Sequence, residues 1–358
     1  MSQMIISKTT SASINYIRFF LCVLVVFLHS GSDLISLDVN FTIFGKFLIK
    51  VLTGFICQTA VPIFFFISAL LLFSKYRNST NFISEYKIQQ KKRIKSLLVP
   101  YLLWNLFGVI YVYIKCYFKG DSIDEYPNFF LCFIALPDKI FPADGPLWFI
   151  RDLIIMNVLS PILYVLFKNK HLCVCAIGML LICHIFKIIP TSLYPNLYID
   201  VIFYPLGAAF GLLNLDSGKF GKTGTTCLLI ACVFIVLCRI YTIFFPDIID
   251  FSLLPIFELF FLFLLISIGN LLPPSPGKMA SYLLNYSQYC FFIYALHGLI
   301  IKPILIAMLK VTSIVSFSEI VSFIYIIAPI ITIAVCVLCQ NIIKSYSYKL
   351  YSILTGNR

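Results

Sequence analysis

Long apolar runs, each about the length of a membrane-crossing helix, alternate with short polar segments from Ile14 almost to the C-terminus. A hydrocarbon core roughly 30 Å thick takes about 20 mostly apolar residues as a helix. The runs therefore predict about ten spans, near residues 14–31, 47–73, 97–118, 147–167, 171–189, 197–215, 225–245, 252–272, 286–309 and 316–340. Nothing is left over for a soluble domain. No repeat period, Pro-rich or Gly/Ser-rich linker or low-complexity tract interrupts the pattern, so residues 1–358 read as one integral membrane domain. The predicted fold class is all-α, a polytopic membrane helical bundle. The first run lacks a small-residue cleavage site after Ser30 and is followed by further spans, which predicts a retained helix rather than a secretory signal.

Composition agrees with this pattern: 61% of the 358 residues are hydrophobic, 12% are charged, and the mean hydropathy is +0.98, far outside the soluble range. Most of the 13 cysteines, including Cys22, Cys173, Cys183 and Cys232, fall inside apolar runs and read as small core or lipid-facing residues. The net charge of +12 matters through its distribution. Segments 74–96 and 168–171 and the C-terminal stretch are basic, whereas 119–145 and 246–250 are acidic. By the positive-inside rule both termini are predicted to be cytoplasmic, in agreement with an even number of spans. The basic segments thus mark orientation against membrane lipids, and no nucleic-acid partner is expected. The acidic loop after the third span, about 25 residues with aromatics and prolines, has two readings: a lid or acceptor platform over the outer face, or an inert ordered loop.

Several ionisable residues interrupt the apolar runs. Arg18 and His29 are eleven residues apart, three turns plus about 20°, so they share one helical face about 16 Å apart along the axis. Two readings stand for each. Arg18 either snorkels to the headgroups or faces a polar cavity; His29 is either an interfacial histidine with a backbone partner or a group facing that cavity. Asp33 shares the His29 face if the helix continues that far, and is otherwise a loop residue. Lys91, Lys92, Arg93 and Lys95 crowd the cytosolic mouth of the third span, as topology markers or as a phosphate clamp. Arg151 and Asp152 lie one turn into the fourth span. Neighbours on a helix point about 100° apart, which predicts that these two do not pair with each other. With Glu258 and His297, the set implies an aqueous or ligand-filled cavity through the bundle.

Two apparent motifs fail. "DSGKFGKT" (216–223) lacks the first glycine of a phosphate-binding loop and the strand before it. His171 and His184 have no carboxylate or thiol set at metal spacing, so no metal is expected.

Taken together, these residues resemble the acyltransferase 3 family of integral membrane acyltransferases. The first span carries that family's arginine and histidine separated by ten residues. The second ends "VPIFFFISALLLF", similar to the "FF..SG" signature, with Ser68 in place and Ala69 where glycine is usual. The third begins "KKRIKSLLVPYLLW", similar to the basic doublet before "PY", here Arg93 and Lys95, with Ser96 where many members have a second arginine. "GPLWFIRDL", "YPLGAAFG" and "FFIYALHGLI" follow in the expected order.

The resemblance implies transfer of an acyl group, usually acetyl from cytosolic acetyl-CoA, onto a hydroxyl of a cell-surface carbohydrate or its lipid-linked precursor, in the bacterial cytoplasmic (inner) membrane. His29 is then the expected general base and Arg18 its companion, because neutral imidazole suits proton uptake near pH 7. An acyl-histidine relay stays open. Arg18, Arg93, Lys95 and Lys92 are the candidates for the CoA phosphates. Trp148, Arg151, His297, Glu258 and Ser68 are candidates for the acceptor side or the oxyanion, although His297 also reads as a structural hydrogen-bonding group. The strongest rival is a transporter or lipid flippase, which also needs charges along a cavity but usually shows repeats and paired broken helices. A membrane glycosyltransferase ranks behind it, because the acids of 121–144 are scattered.

Overall fold

The first apolar run forms the inner part of a longer helix, α1 (Lys8–Ser36). The structure, a computed structural model, describes residues 8–119, 142–186, 188, 197–214, 221–244, 253–271, 285–312 and 320–357. Among these residues it is helical, with no strand. After α1 come α2 (Ile43–Val51), α3 (Ala60–Asn78), α4 (Phe82–Arg93), α5 (Val99–Lys119), α6 (Trp148–Val158), α7 (Ser160–Lys168) and α8 (Lys170–Ile185). The order continues with α9 (Leu197–Leu213), α10 (Gly221–Phe244), α11 (Leu254–Leu271), α12 (Cys290–Thr312), α13 (Ile320–Tyr346) and α14 (Tyr348–Thr355).

Every predicted span contains a helix, but the helices are not equally long. Seven among the described residues are long and apolar enough to cross a membrane. An eighth crossing results if Gly145–Val158 and Ser160–Lys168, bent by 51° at their junction, form one broken span. Lys170–Ile185 and Val201–Leu213 are apolar but shorter than 18 residues. At 1.5 Å per residue, sixteen residues reach only about 24 Å, less than the hydrocarbon thickness. The acidic loop and the "PDIID" segment lie outside the described residues apart from the loop's two ends.

α1 lies at the centre, packed against α3, α11, α12 and α13. It runs parallel to α12, and the two helices keep step. Phe19 packs against Tyr286 just before α12 (5.4 Å between centroids), the Cys22 thiol donates to the Cys290 carbonyl (3.4 Å), His29 faces His297, and Lys302 donates to the Ser36 hydroxyl (3.1 Å). The seven-residue step from Cys22 to His29 equals that from Cys290 to His297, the spacing of a knobs-into-holes seam.

α3 and α9 make the most extensive helix pair. The reason lies in "GAAFG": a Cβ at Gly207 would sit 2.2 Å from the Phe66 carbonyl oxygen, and one at Gly211 2.7 Å from that of Leu70. Small residues four apart let two backbones touch in a medium where apolar attraction does not choose the partner. Arg77 closes the contact, donating to the Gly211 carbonyl (3.0 Å) and the Asn214 side chain (2.6 Å) at the C-terminus of α9.

Two helical stretches are widened into π-turns, Leu52–Ile56 and Ile94–Leu98. Such turns expose unpaired backbone and are tolerated at membrane depth when protein covers them. The first is covered by Tyr325, whose hydroxyl is 2.9 Å from Thr53 Oγ1, and by α1, where Gly31 leaves room for the Thr53 side chain. The second is covered by α14, whose terminal Gly356 takes the left-handed conformation (φ 67°) and presses on the backbone of Ser96. Trp104 donates to the Leu354 carbonyl (3.0 Å) beside it. The C-x-x-C spacing of Cys336 and Cys339 falls inside α13, and both thiols are free.

Candidate functional site

Arg18 and Arg93 line one cavity of about 520 Å3 together with Ser68, Ser96, Ser287, Gln288, Cys290 and a wall of apolar side chains including Phe64, Phe149 and Tyr294. That volume is within the roughly 300–1,000 Å3 of small-molecule sites. Arg18 and Arg93, both candidates for the CoA phosphates, thus share one space with Ser68, which had been a candidate for the acceptor side or the oxyanion. Arg93 is the last residue of α4, and the π-turn follows directly after it. Ser96, three residues on, lines the cavity. Lys95 and Lys92 are exposed and lie outside its lining, so the doublet expected from the sequence is replaced at the wall by an arginine and a serine. Residues three apart share a helical face and residues one or two apart do not.

Two turns beyond Cys290 on α12 stands His297, wholly buried, its ring centroid 5.0 Å from that of His29 on α1. His297 Nδ1 lies 3.0 Å from the Ile293 carbonyl and 2.7 Å from that of Tyr294. A carbonyl only accepts, so Nδ1 carries the proton and Nε2 the lone pair. Among the described residues Nε2 has no hydrogen-bond partner. His29 is partly exposed. Tyr294 joins the two regions: it lines the cavity, offers its carbonyl to His297, and donates its hydroxyl to the Pro146 carbonyl.

That hydroxyl contact holds a segment whose importance the sequence did not reveal. Ala143 N–H donates to Asn105 Oδ1 (2.8 Å), Leu147 N–H to the Asp144 carbonyl (3.0 Å), and Gly108 leaves room for the Asp144 backbone, where a Cβ would come within 2.6 Å. Asp144 itself is buried, and among the described residues neither of its carboxyl oxygens has a hydrogen-bond partner. Each buried polar group left unmet costs about 1–3 kcal/mol. The available signal was its place, directly before "GPLWFIRDL", but the acids of this loop read as scattered.

Asp144 precedes the bent span, and burial holds its carboxyl well above the usual carboxylate range. A carboxyl whose pKa rises on folding binds its proton more tightly when folded. Its cost is therefore absent below the unfolded value of about 3.9 and grows as pH rises toward the folded value. Asp144→Asn cannot ionise. It is expected to melt higher than the parent near neutral pH and at the same temperature near pH 4, as thermal unfolding in detergent at both pH values will show.

Other expected site residues are placed elsewhere. Arg151 and Asp152 do pair with each other, Nε to Oδ1 at 2.7 Å, both buried. Their Cα–Cβ vectors diverge as expected, but the arginine side chain is long enough to fold back across the gap. Glu258 lies 3.0 Å from His184 Nε2, joining α11 to α8, away from the cavity lining, and His184 is flanked by the Phe203 ring. Trp148 is half-buried and is not part of the cavity wall. α1 does continue through Asp33 to Ser36. Among the described residues, no three His, Cys, Asp or Glu side chains are grouped to hold a metal ion.

A family model described as an acyltransferase domain matches residues 11–340. No curated protein and no solved structure matches the chain.

Proposed function

Since this chain belongs to the acyltransferase 3 family of membrane acyltransferases, we propose that it moves an acetyl group from cytosolic acetyl-CoA to a hydroxyl of a cell-surface carbohydrate or its lipid-linked precursor, in a bacterial cytoplasmic membrane with both termini inside. The observation that carries this reading is the sequence of groups along the α1–α12 seam. The Arg18–Arg93 cavity comes first, then Tyr294, then the histidine pair. Two guanidiniums at one end suit the CoA phosphates, because bidentate, charge-assisted bonds to phosphate are what arginine makes best. The rise from Arg18 to His29, about 16 Å, suits an extended pantetheine arm.

In the chemical step the acceptor hydroxyl attacks the thioester carbonyl, its proton passes to an imidazole, and the CoA thiolate leaves and takes a proton in turn. His29 is the proposed general base, because it is partly exposed whereas His297 is wholly buried behind it. His297, tethered through Nδ1 to two carbonyls, restricts the orientation of its neighbour.

Purified protein in detergent tests the proposal by free-thiol release from acetyl-CoA, with and without mixed carbohydrate acceptors. Acceptor-stimulated release supports it; failure to bind acetyl-CoA removes it and favours the transporter. Arg18→Ala and Arg93→Ala are each expected to raise the acetyl-CoA KM roughly 10-fold or more, the worth of one hydrogen bond to a charged group, with kcat little changed. A fall in kcat at unchanged KM moves that arginine from donor binding to the chemistry.

A further inference from the structure

Aspartate is a residue type favoured at helix N-caps, yet Asp144 does not cap. It occupies the N-cap position of the turn Gly145–Leu147 that leads into α6, where aspartate ordinarily accepts from backbone N–H groups of the first turn, but no such side-chain bond is made. Its carboxyl is turned instead toward α12. A Cβ built on Gly298 would lie 2.5 Å from Asp144 Oδ1, so the carboxyl rests against bare backbone one residue beyond His297. Tyr294, His297 and Gly298 are spaced i, i+3 and i+4 and share one face of α12.

Among the described residues two polar groups are consequently left unmet around one helical turn, the Asp144 carboxyl and His297 Nε2. The backbone around Asp144 is held by Asn105 and by Tyr294 through Pro146. A polar head fixed by its backbone and denied a partner, beside a second such head, is what a ligand rich in hydroxyl donors satisfies. A simple alcohol brings one donor. A polyol brings several.

Resting on the acyl-transfer reading above, we propose that Asp144 is an acceptor-positioning residue: its carboxyl holds one hydroxyl of a polyol acceptor while the neighbouring hydroxyl is presented to the His29–His297 pair. The acceptor class that follows is a compound with hydroxyls on adjacent carbons. Gly298 makes room for the carboxyl itself, which a side chain at that position would displace.

The test compares the parent protein with Asp144→Ala and Asp144→Asn, using acetyl-CoA with a vicinal-diol sugar and with a simple primary alcohol. Asp144→Ala is expected to lose roughly 3- to 10-fold in kcat/KM for the sugar, the range of one hydrogen bond between uncharged groups, with acetyl-CoA KM and transfer to the simple alcohol unchanged. Asp144→Asn, of the same shape and still able to hydrogen-bond, is expected to recover part of the loss. It also serves if the alanine variant does not fold. Equal losses with both acceptors, or no loss with either, overturn the proposal. If the parent protein transfers acetyl to neither acceptor and releases no thiol, the acyl-transfer reading fails first, and this one with it.

Discussion

His29→Ala is expected to lower acetyl transfer about 10²- to 10⁴-fold, the usual contribution of a positioned general base, while leaving the acetyl-CoA KM as it was. The split follows from the geometry. His29 stands three turns along α1 from Arg18 and is not part of the cavity wall, so its removal takes no contact from the proposed donor site. It does remove the partly exposed imidazole nearest to an incoming hydroxyl. His297 remains, 5.0 Å away by ring centroids in the parent protein, but it is buried and tethered through Nδ1 to two carbonyls. It can substitute only if the acceptor moves deeper, which accounts for a residual rate rather than none. Steady-state kinetics on protein that inserts and unfolds like the parent measures this directly. An unchanged rate removes His29 from the chemistry, and a proportional rise in acetyl-CoA KM makes it a binding group.

Gly207→Leu is expected to cost at least the upper part of the 1–3 kcal/mol typical of overpacking, and to deplete folded protein in the membrane. The obstacle is backbone. A Cβ at this position would come within 2.2 Å of the Phe66 carbonyl oxygen and 2.9 Å of Phe66 Cα, and neither atom has a rotamer to change. α3 and α9 would have to separate, and α3 carries Phe64, Ile67, Ser68 and Leu71 of the cavity wall. Acetyl-CoA binding should therefore fall together with thermal stability. Gly207→Ala should lie between the parent and Gly207→Leu. Gly178→Ala on α8, where an added Cβ meets nothing within 4 Å, is the matched control. A parent-like melting temperature for Gly207→Leu would mean that the close approach of these helices is dispensable.

Both predictions use residues visible in the sequence, but for different reasons. Arg18 and His29 were legible because they lie on one helix, where rise and twist per residue are constants. Arg93 was legible as one of the basic cluster at the mouth of the third span and Ser68 only through resemblance, and Ser96 rather than Lys95 accompanies Arg93 because residues three apart share a helical face and residues two apart do not. Arg151 and Asp152 were misread because Cα–Cβ direction was allowed to stand for the reach of a long side chain. Glu258 was counted with the cavity because its partner, His184, lies 74 positions away in the chain and nothing local connects them. Asp144 escaped because a carboxylate in an acidic loop resembles its neighbours until burial singles it out.

The sequence by itself determined that the chain is helical and membrane-embedded, where its apolar runs lie, and which face of α1 joins Arg18 to His29, since each of these follows from local composition and fixed helix geometry. Only the tertiary structure decided that α12 runs parallel to α1, that His297 meets His29, and that Asp144 is buried beside Gly298. The physical reason is that helices apolar on every side gain nothing from lipid by choosing one neighbour over another. Partner and register are settled by close packing at small residues and by the few polar groups that must be satisfied, and those contacts join positions far apart in the chain.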